Sequence, residues 1–283
     1  MSTPETSHKR PKLGQHFLTD RHIAARIVDA LGDVSGKVVV EIGPGTGVLT
    51  GLLAPRAQHL IAIELDRVLA AQLRMMHSRD EHIEIIEADA LSLRFDTVLG
   101  PRPGALAGIA HPQFPKARVI GNIPYYITSE LLLHLFAYSH CFDLMVLMVQ
   151  REVADRLAAQ PGTRDYALLS ATAQLYASVE KLFVVPPGAF APAPQVHSAV
   201  LRLTVQPRWE SLQVDPPAFI DFLKLSFGQK RKTLLNNLKA KYAMPALRAA
   251  FDAAAVPPSF RAEALPLEKA AALFRALNNR VTA

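Results

Sequence analysis

The stretch Val38-Val39-Val40-Glu41-Ile42-Gly43-Pro44-Gly45-Thr46-Gly47 decides the fold of this chain. Its first half is apolar and β-branched and too short for a helix by itself, so it predicts a buried parallel strand. Its second half alternates three glycines, which predicts a tight turn where a ligand can contact the backbone. Helical composition resumes at Val48-Leu49-Thr50. The stretch therefore predicts a strand, a glycine turn and a helix in succession.

The next predicted strand, Leu60-Ile61-Ala62-Ile63, ends in Glu64. An acidic residue at the tip of the second strand can accept hydrogen bonds from a ribose, which predicts a nucleoside-cofactor site. The dinucleotide fingerprint has a third glycine where this chain has Val48, and this disfavours NAD. The G-x-G-x-G spacing after Glu41 is similar instead to the first motif of class I S-adenosylmethionine methyltransferases.

Predicted strands and helices alternate along the first 159 residues, which indicates an α/β fold with a mainly parallel sheet. The carboxyl ends of parallel strands share one edge of a sheet, so the groups at four strand ends should converge on one crevice. These groups are Gly43, Glu64, Asp89 and Asn122. We expect Asp89 to accept a hydrogen bond from the exocyclic amine of the cofactor adenine.

Other segments predict loops and the edge of the sheet. Residues 1–12 predict a flexible arm, and residues 96–117, rich in Pro, Gly and Ala, predict a long surface loop. The proline-rich segment 186–194 predicts a stiff loop without regular structure. Residues 179–185 and 198–205, on either side of it, predict two closing strands.

Helical patterns complete the expected organisation. Thr128 or Ser129 is expected to cap the helix that follows the fourth strand end. After residue 206 only helices are predicted, including one over residues 230–242. We therefore predict a catalytic domain over residues 1–206 and a small helical domain over residues 207–283.

Composition limits the class of protein. With 283 residues, half of them hydrophobic, the chain can build a sizeable core. Cys141 is its one cysteine, so no internal disulfide forms, which fits a reducing compartment. The first residues are polar, unlike a secretory signal, and the longest apolar strand, residues 142–149, is too short to cross a membrane. We expect a cytoplasmic protein with no membrane partner.

The charge is unevenly distributed along the chain. Residues 1–206 carry 19 basic and 19 acidic residues, whereas residues 207–283 carry 12 basic and 6 acidic residues. A basic lobe on a neutral lobe predicts a polyanionic partner, most simply nucleic acid. Lys230, Arg231 and Lys232 form a predicted basic helix start that suits RNA phosphates. The alternative is a solvated basic face.

The segment Asn122-Ile123-Pro124-Tyr125 predicts how the exocyclic amine of an adenine would be held for methylation. The N6 lone pair of adenine is delocalised into the ring and is a poor nucleophile. The Asn122 side-chain oxygen and a backbone carbonyl of Ile123 or Pro124 can accept its two N–H bonds and orient the amine. Pro124 makes the turn rigid, and Tyr125 offers a face on which the base can stack. The alternative is a turn with a core tyrosine.

Phe190 lies in the proline-rich segment, where the sequence gives no need for a large core side chain. It is a candidate second stacking face for the target base, and plain packing is the alternative. The chain has no G-x-S-x-G elbow, no Walker loop and no Cys/His metal spacing. We therefore expect no metal.

These motifs together resemble the KsgA-type ribosomal RNA adenine dimethyltransferases, over nearly the whole chain. The segments that carry the resemblance are Gly14-Gln15-His16-Phe17-Leu18, Glu41 to Gly47, Ile63-Glu64-Leu65-Asp66, Asp89-Ala90, Asn122 to Tyr125, Pro186 to Phe190, and Phe227 to Thr233. The resemblance implies a Rossmann-like class I methyltransferase sheet with a small C-terminal α-helical domain.

The resemblance also implies the activity. Its members dimethylate the N6 amines of adjacent adenines near the 3′ end of small-subunit (16S) rRNA, by in-line attack on the sulfonium methyl of S-adenosylmethionine. S-Adenosylhomocysteine is the expected product, a small-subunit assembly intermediate the expected partner, and a monomer the expected state. The implied cofactor contacts are His16, Leu18, Gly43, Gly45, Glu64, Asp89 and Asn122. Position 16 is often Asn in the family, so His16 changes this hydrogen bond.

Two other functions stay open at this stage. One is the erythromycin-resistance type of enzyme, which methylates large-subunit rRNA; the basic element from Gly228 to Thr233 and the helical tail favour the small-subunit enzyme. The other is a non-catalytic ribosome assembly factor on the same fold. Intact Gly43, Glu64 and Asn122 argue against lost turnover.

Overall fold

The computed structural model describes residues 16–100 and 116–278. The predicted arm at residues 1–12 and most of the predicted loop at 96–117 lie outside the described residues. The described strands are β1 (Phe17–Leu18), β2 (Val38–Ile42), β3 (His59–Glu64), β4 (Ile83–Glu87), β5 (Ala117–Asn122), β6 (Phe142–Gln150), β7 (Ala177–Val185), β8 (Phe190–Ala191) and β9 (Ser198–Val205). The described helices are α1 (Arg21–Asp29), α2 (Val48–Leu53), α3 (Arg67–Met76), α4 (Phe95–Val98), α5 (Thr128–Ala137), α6 (Arg151–Leu157), α7 (Leu168–Tyr176), α8 (Trp209–Leu212), α9 (Pro216–Ser226), α10 (Leu234–Leu238), α11 (Met244–Ala253) and α12 (Leu267–Asn278).

Seven of these strands form one sheet in the order β4-β3-β2-β5-β6-β9-β7. The five strands from β4 to β6 are parallel to one another. Strand β9 runs antiparallel to both of its neighbours, β6 and β7. The predicted α/β fold, its mainly parallel sheet and the two closing strands are confirmed.

The order of the strands determines where a crevice opens at the edge of the sheet. From β2 the chain moves outward through β3 to β4, and it then returns to the other side of β2 as β5. A crevice opens at such a switch point, outside the carboxyl ends of the strands. The ends of β2 and β5 are direct neighbours there, because a Cβ on Gly43 would lie 3.7 Å from the Asn122 carbonyl oxygen.

Two apolar clusters cover the two faces of the sheet. Val38 and Val40 point into one cluster and Val39 into the other, as the alternation of a strand requires. All five residues of β2 are buried, which explains why four of the five are apolar. The C-terminal helices share the first cluster, where Phe219 and Leu247 are fully buried. No helix among the described residues is long and apolar enough to span a bilayer.

Two helix predictions are wrong. Neither Thr128 nor Ser129 caps α5: the helix starts at Thr128 directly after a 3₁₀ turn, and the Thr128 hydroxyl donates to the Pro124 carbonyl oxygen. The predicted helix 230–242 is only α10, which begins after Thr233, whose hydroxyl accepts from the Asn236 N–H. A threonine N-cap and two central asparagines favour a short helix over a long one.

The proline-rich segment contains regular structure that the sequence did not predict. A 3₁₀ turn spans Pro187–Ala189, and β8 follows it and pairs antiparallel with β1. Leu18 lies opposite Phe190 in this pair. Two-residue strands leave almost no periodic signal, because pairing across more than 170 residues creates them.

Candidate active site

A cleft of about 1090 Å³, including its open mouth, lies at the switch point. All of the predicted cofactor contacts line it, namely His16, Leu18, Gly43, Gly45, Glu64, Asp89 and Asn122. Pro124 and Tyr125 line it as well. The fold therefore brings together groups that are up to 109 positions apart in the sequence.

The glycine turn after β2 forms one wall of the cleft. Gly43, Gly45 and Gly47 have φ angles of 67°, 59° and 83°, a region that residues with a Cβ rarely adopt. A Cβ on Gly45 would also lie only 2.9 Å from Cδ1 of Phe17 in β1. The turn thus requires glycine for its backbone conformation and for the close approach of a neighbour.

Glu64 joins the tip of β3 to this turn. Its carboxylate is 3% exposed, and it accepts the Gly45 N–H at 2.9 Å through Oε2 and the Asp66 N–H at 2.9 Å through Oε1. These two bonds fix the carboxylate within the cleft lining. Each carboxylate oxygen can accept a second hydrogen bond, so Glu64 can still bind a ribose hydroxyl.

Glu41 is a fully buried carboxyl in the cleft lining. Its Oε2 accepts the Thr50 hydroxyl at 2.8 Å, whereas Oε1 has no hydrogen-bond partner among the described residues. Burial raises the pKa of Glu41 from 4.5 to about 7; the Thr50 bond opposes this shift and the charge of Glu64 adds to it. A buried polar atom without a partner requires an explanation, and a donor on a bound molecule supplies one.

Asp89 and Tyr126 lie near each other in the lining. Asp89 caps a 3₁₀ turn at Ala90–Ser92, with its Oδ1 accepting the Leu91 N–H at 2.9 Å. Tyr126 is 62% exposed, and its pKa is raised first by partial burial and then by the charges of Asp89 and Glu64. No role was predicted for Tyr126 from the sequence; its position one residue after Tyr125 was the available signal.

Asn122 ends β5 with its amide held on one side. Its Nδ2 donates to the His16 carbonyl oxygen at 3.0 Å, and the described residues form no hydrogen bond to its Oδ1. The Pro124 carbonyl already accepts from the Ile127 N–H and the Thr128 hydroxyl, each at 3.2 Å. The turn therefore presents a neutral amide oxygen to the cleft and no carboxylate.

Two contacts restrain the Tyr125 side chain, one at its hydroxyl and one at its ring. Its hydroxyl forms a 2.9 Å hydrogen bond with Ser198 Oγ. Its ring centroid lies 6.0 Å from that of His16, and the two ring planes are 31° apart. The His16 ring is anchored in turn through Nδ1, which lies 2.8 Å from the Pro192 carbonyl oxygen.

Phe190 does not line the cleft. It is 5% exposed, pairs with Leu18 and belongs to an apolar cluster of the core. The expectation that no core needs this ring is therefore wrong, because the β1–β8 pair carries it inward. Leu18, which does line the cleft, is its partner across that pair.

Lys230, Arg231 and Lys232 are exposed and do not line the cleft. They precede α10 and its N-cap Thr233, and do not form the first turn of the helix. The Lys230 ammonium contacts the Arg164 carbonyl oxygen at 3.4 Å.

The sequence is similar to one family over almost its whole length. The model of the ribosomal RNA adenine dimethylase family matches residues 6–279. A ribosomal RNA small subunit methyltransferase A of Koribacter versatilis is 57% identical, over 95% of this chain and 94% of its own. A protein of the same name from Acidobacterium capsulatum is 52% identical, over 96% of this chain and 92% of its own.

Solved structures agree with the fold. A dimethyladenosine transferase from Plasmodium falciparum aligns with a TM-score of 0.72 at 25% identity, over 94% of this chain and 98% of its own. The 23S rRNA methyltransferase ErmE aligns with a TM-score of 0.66 at 27% identity, over 93% of this chain and 99% of its own. Both alignments include the C-terminal helices as well as the sheet.

Proposed function

Since the chain belongs to the ribosomal RNA adenine dimethylase family, we propose that it dimethylates the N6 amines of two adjacent adenines near the 3′ end of small-subunit rRNA. The methyl donor is S-adenosylmethionine. The observation that carries this proposal is the position of Asn122, a neutral amide with an open oxygen at the switch point of a methyltransferase sheet. The small-subunit relatives, at up to 57% identity over nearly full length, favour this substrate.

The cleft fits the methyl donor. The three left-handed glycines leave the backbone accessible, Glu64 suits a ribose and Asp89 suits an adenine amine. The partnerless Oε1 of Glu41 suits the cationic amino-acid end. S-Adenosylmethionine supplies an electrophilic methyl group when bound. His16 and Leu18 close the cleft from the side of β1.

Asn122 and its neighbour orient the target amine. We assign one N6–H to Asn122 Oδ1 and the other to the Ile123 carbonyl oxygen, because Pro124 already accepts two hydrogen bonds. When both N–H groups donate hydrogen bonds to these two oxygens, the nitrogen lone pair points toward the methyl group. No strong general base is required, since the proton is lost to water after transfer. The second methylation needs only one acceptor, because one N–H remains.

Two rings are assigned to the target base. Tyr125 lines the cleft and gives one stacking face, which contributes roughly 1–3 kcal/mol per base. Phe190 is the candidate for the second face. Phe190 is buried and does not line the cleft, so this assignment requires its ring to be uncovered when the base binds.

The two proposed domains have different roles. Residues 1–206 form the catalytic domain, and residues 207–283 form a basic helical domain in which Lys230, Arg231 and Lys232 bind rRNA phosphates. The substrate is a small-subunit assembly intermediate in the cytoplasm, the product is S-adenosylhomocysteine, and the protein acts as a monomer without a metal.

Labelled methyl transfer tests the function and separates the alternatives. The full chain is incubated with labelled S-adenosylmethionine and unmethylated small subunits, large subunits or free rRNA, and the rRNA is analysed by mass spectrometry. We expect two dimethyladenosines in small-subunit rRNA. Label in large-subunit rRNA would indicate the erythromycin-resistance type. Tight binding to small subunits without any label would indicate a non-catalytic assembly factor.

A further inference from the structure

The first residue of β9 lies at the same edge of the sheet as the cleft. Strand β9 is antiparallel to its neighbours, so Ser198 pairs with the last residues of β6 and β7, Gln150 and Val185. Ser198 is fully buried, and the apolar residues 199–201 that follow it are buried as well. A hydroxyl in such surroundings requires a hydrogen-bond partner.

That partner is the hydroxyl of Tyr125, at 2.9 Å. Tyr125 follows β5, and β6 separates β5 from β9 in the sheet. Adjacent strands are about 4.8 Å apart, so the Tyr125 side chain crosses the end of β6 to reach β9. The ring is thus tied to the buried end of a sheet strand, although its backbone belongs to a turn.

We infer that Ser198 is a positioning residue for methyl transfer, and that its buried hydroxyl fixes the Tyr125 ring against which the target adenine stacks. The inference rests on the proposed function, because it assigns Tyr125 to the base. The bond prevents the ring from swinging about its side-chain torsions, and accurate placement of the attacking nitrogen is what the reaction needs. Loss of one neutral hydrogen bond in the transition state corresponds to a rate decrease of roughly two- to tenfold.

Single-turnover methyl transfer by the full chain on unmethylated small subunits tests this inference. We expect Ser198→Ala and Tyr125→Phe each to slow transfer by roughly two- to tenfold, with unchanged S-adenosylmethionine affinity by calorimetry. The double variant should be no slower than the slower single variant, because both changes remove one bond. Ser198→Thr keeps a hydroxyl and should recover most of the rate.

Ser170→Ala is the matched control. Ser170 is also fully buried, its hydroxyl donates to the Arg156 carbonyl oxygen at 2.5 Å, and it does not line the cleft. This variant should lose stability and keep the wild-type rate. A wild-type rate for Tyr125→Phe would overturn the inference even if Ser198→Ala failed to fold. A folded double variant whose two defects multiply would overturn it as well. Absence of transfer by the wild-type protein would instead overturn the proposed function, and the inference with it.

Discussion

At the end of β5, the neutral side chain of Asn122 has two hydrogen-bonding roles, one for its nitrogen and one for its oxygen. The Asn122 nitrogen donates to the His16 carbonyl oxygen at 3.0 Å, which orients the amide, and the oxygen stays available for the target amine. A carboxylate here could not donate to His16, and its charge would add to those of Glu41 and Glu64 in the same cleft. The amide therefore suits both its neighbour and an uncharged nucleophile.

Replacement of Asn122 by Ala should lower the single-turnover rate of methyl transfer about 100-fold, because a displacement of the attacking atom by about 1 Å has that effect. S-Adenosylmethionine affinity should fall much less than the rate. Calorimetry for the cofactor and quenched-flow methylation of small subunits measure the two quantities. Asn122→Asp keeps an acceptor and loses the donor to His16, so its rate should lie between those of the wild-type protein and Asn122→Ala. Wild-type turnover by Asn122→Ala would show that other groups position the amine.

The buried Glu41 carboxyl makes a pH-dependent contribution to stability. Its pKa is about 7 in the folded protein and close to 4.5 in the unfolded chain, so between these values the folded state binds more protons. The contribution is fully favourable below pH 4.5 and is lost as the pH rises to about 7. Its size is on the order of 3 kcal/mol, from 1.36 kcal/mol per pKa unit.

We predict that Glu41→Gln removes this contribution. The free energy of unfolding of the wild-type protein, from urea titrations without cofactor, should decrease relative to that of Glu41→Gln between pH 5 and pH 8. The difference between the variants isolates Glu41 from histidines that titrate in the same range. Parallel pH profiles for the two proteins would mean that the pKa of Glu41 is not raised.

Among the elements, the β1–β8 pair and the glycine turn depend on each other. The Phe17 ring in β1 lies over Gly45, where a Cβ would be 2.9 Å from Cδ1 and 3.1 Å from Cε1. Strand β1 is held by β8 and by the Thr19 N–H, which donates to the Ala189 carbonyl oxygen at 2.8 Å. A side chain at Gly45 must therefore displace the Phe17 ring or the turn.

The variant Gly45→Ala should weaken S-adenosylmethionine binding at least tenfold and destabilise the fold by about 1–3 kcal/mol, the range for a residue held at positive φ. Calorimetry and urea denaturation measure the two effects. Gly51→Ala in α2 is the control: its Cβ would meet nothing within 4 Å, and alanine favours a helix by about 1 kcal/mol. It should bind the cofactor normally. Equal affinity for Gly45→Ala would show that neither the turn nor β1 limits the site.

How far the sequence predicts an element depends on where its stabilising contacts come from. Strand β2 and its turn were predictable, because a buried apolar run and three glycines are local signals. The β1–β8 pair was not, since Leu18 and Phe190 become neighbours only after folding. The role of Ser198 could not be predicted for the same reason, because only folding brings its hydroxyl to that of Tyr125. The start of α10 was misplaced because basic residues indicate a surface, not a helix.

For the molecule as a whole, charge divides between the two lobes. Residues 222–251 contain seven basic and no acidic residues, whereas residues 1–206 are balanced. A segment of this kind attracts an RNA backbone without reading its sequence. The cleft carries Glu41, Glu64 and Asp89, so we expect RNA phosphates to bind mainly to the basic C-terminal segment.

Joint replacement of Lys230, Arg231 and Lys232 by Ala should weaken binding to small subunits and reduce the salt slope by about 2–3, because each phosphate contact contributes roughly 0.7–0.9. S-Adenosylmethionine affinity should not change, since these residues do not line the cleft. Filter binding at several salt concentrations gives the slope. The result would assign phosphate contacts to these three side chains.

The control removes charge from the opposite edge of the sheet. Arg56 precedes β3 and Arg79 precedes β4, so both lie at the amino ends of parallel strands, away from the cleft. Arg56 pairs with Asp29 on the surface, an interaction that contributes little to stability. If RNA affinity depended only on net charge, the double variant Arg56→Ala, Arg79→Ala would show about two thirds of the triple variant's effect. If the segment binds phosphates directly, the double variant should keep the wild-type affinity and salt slope. Equal effects per charge in the two variants would leave residues 230–232 as a solvated face.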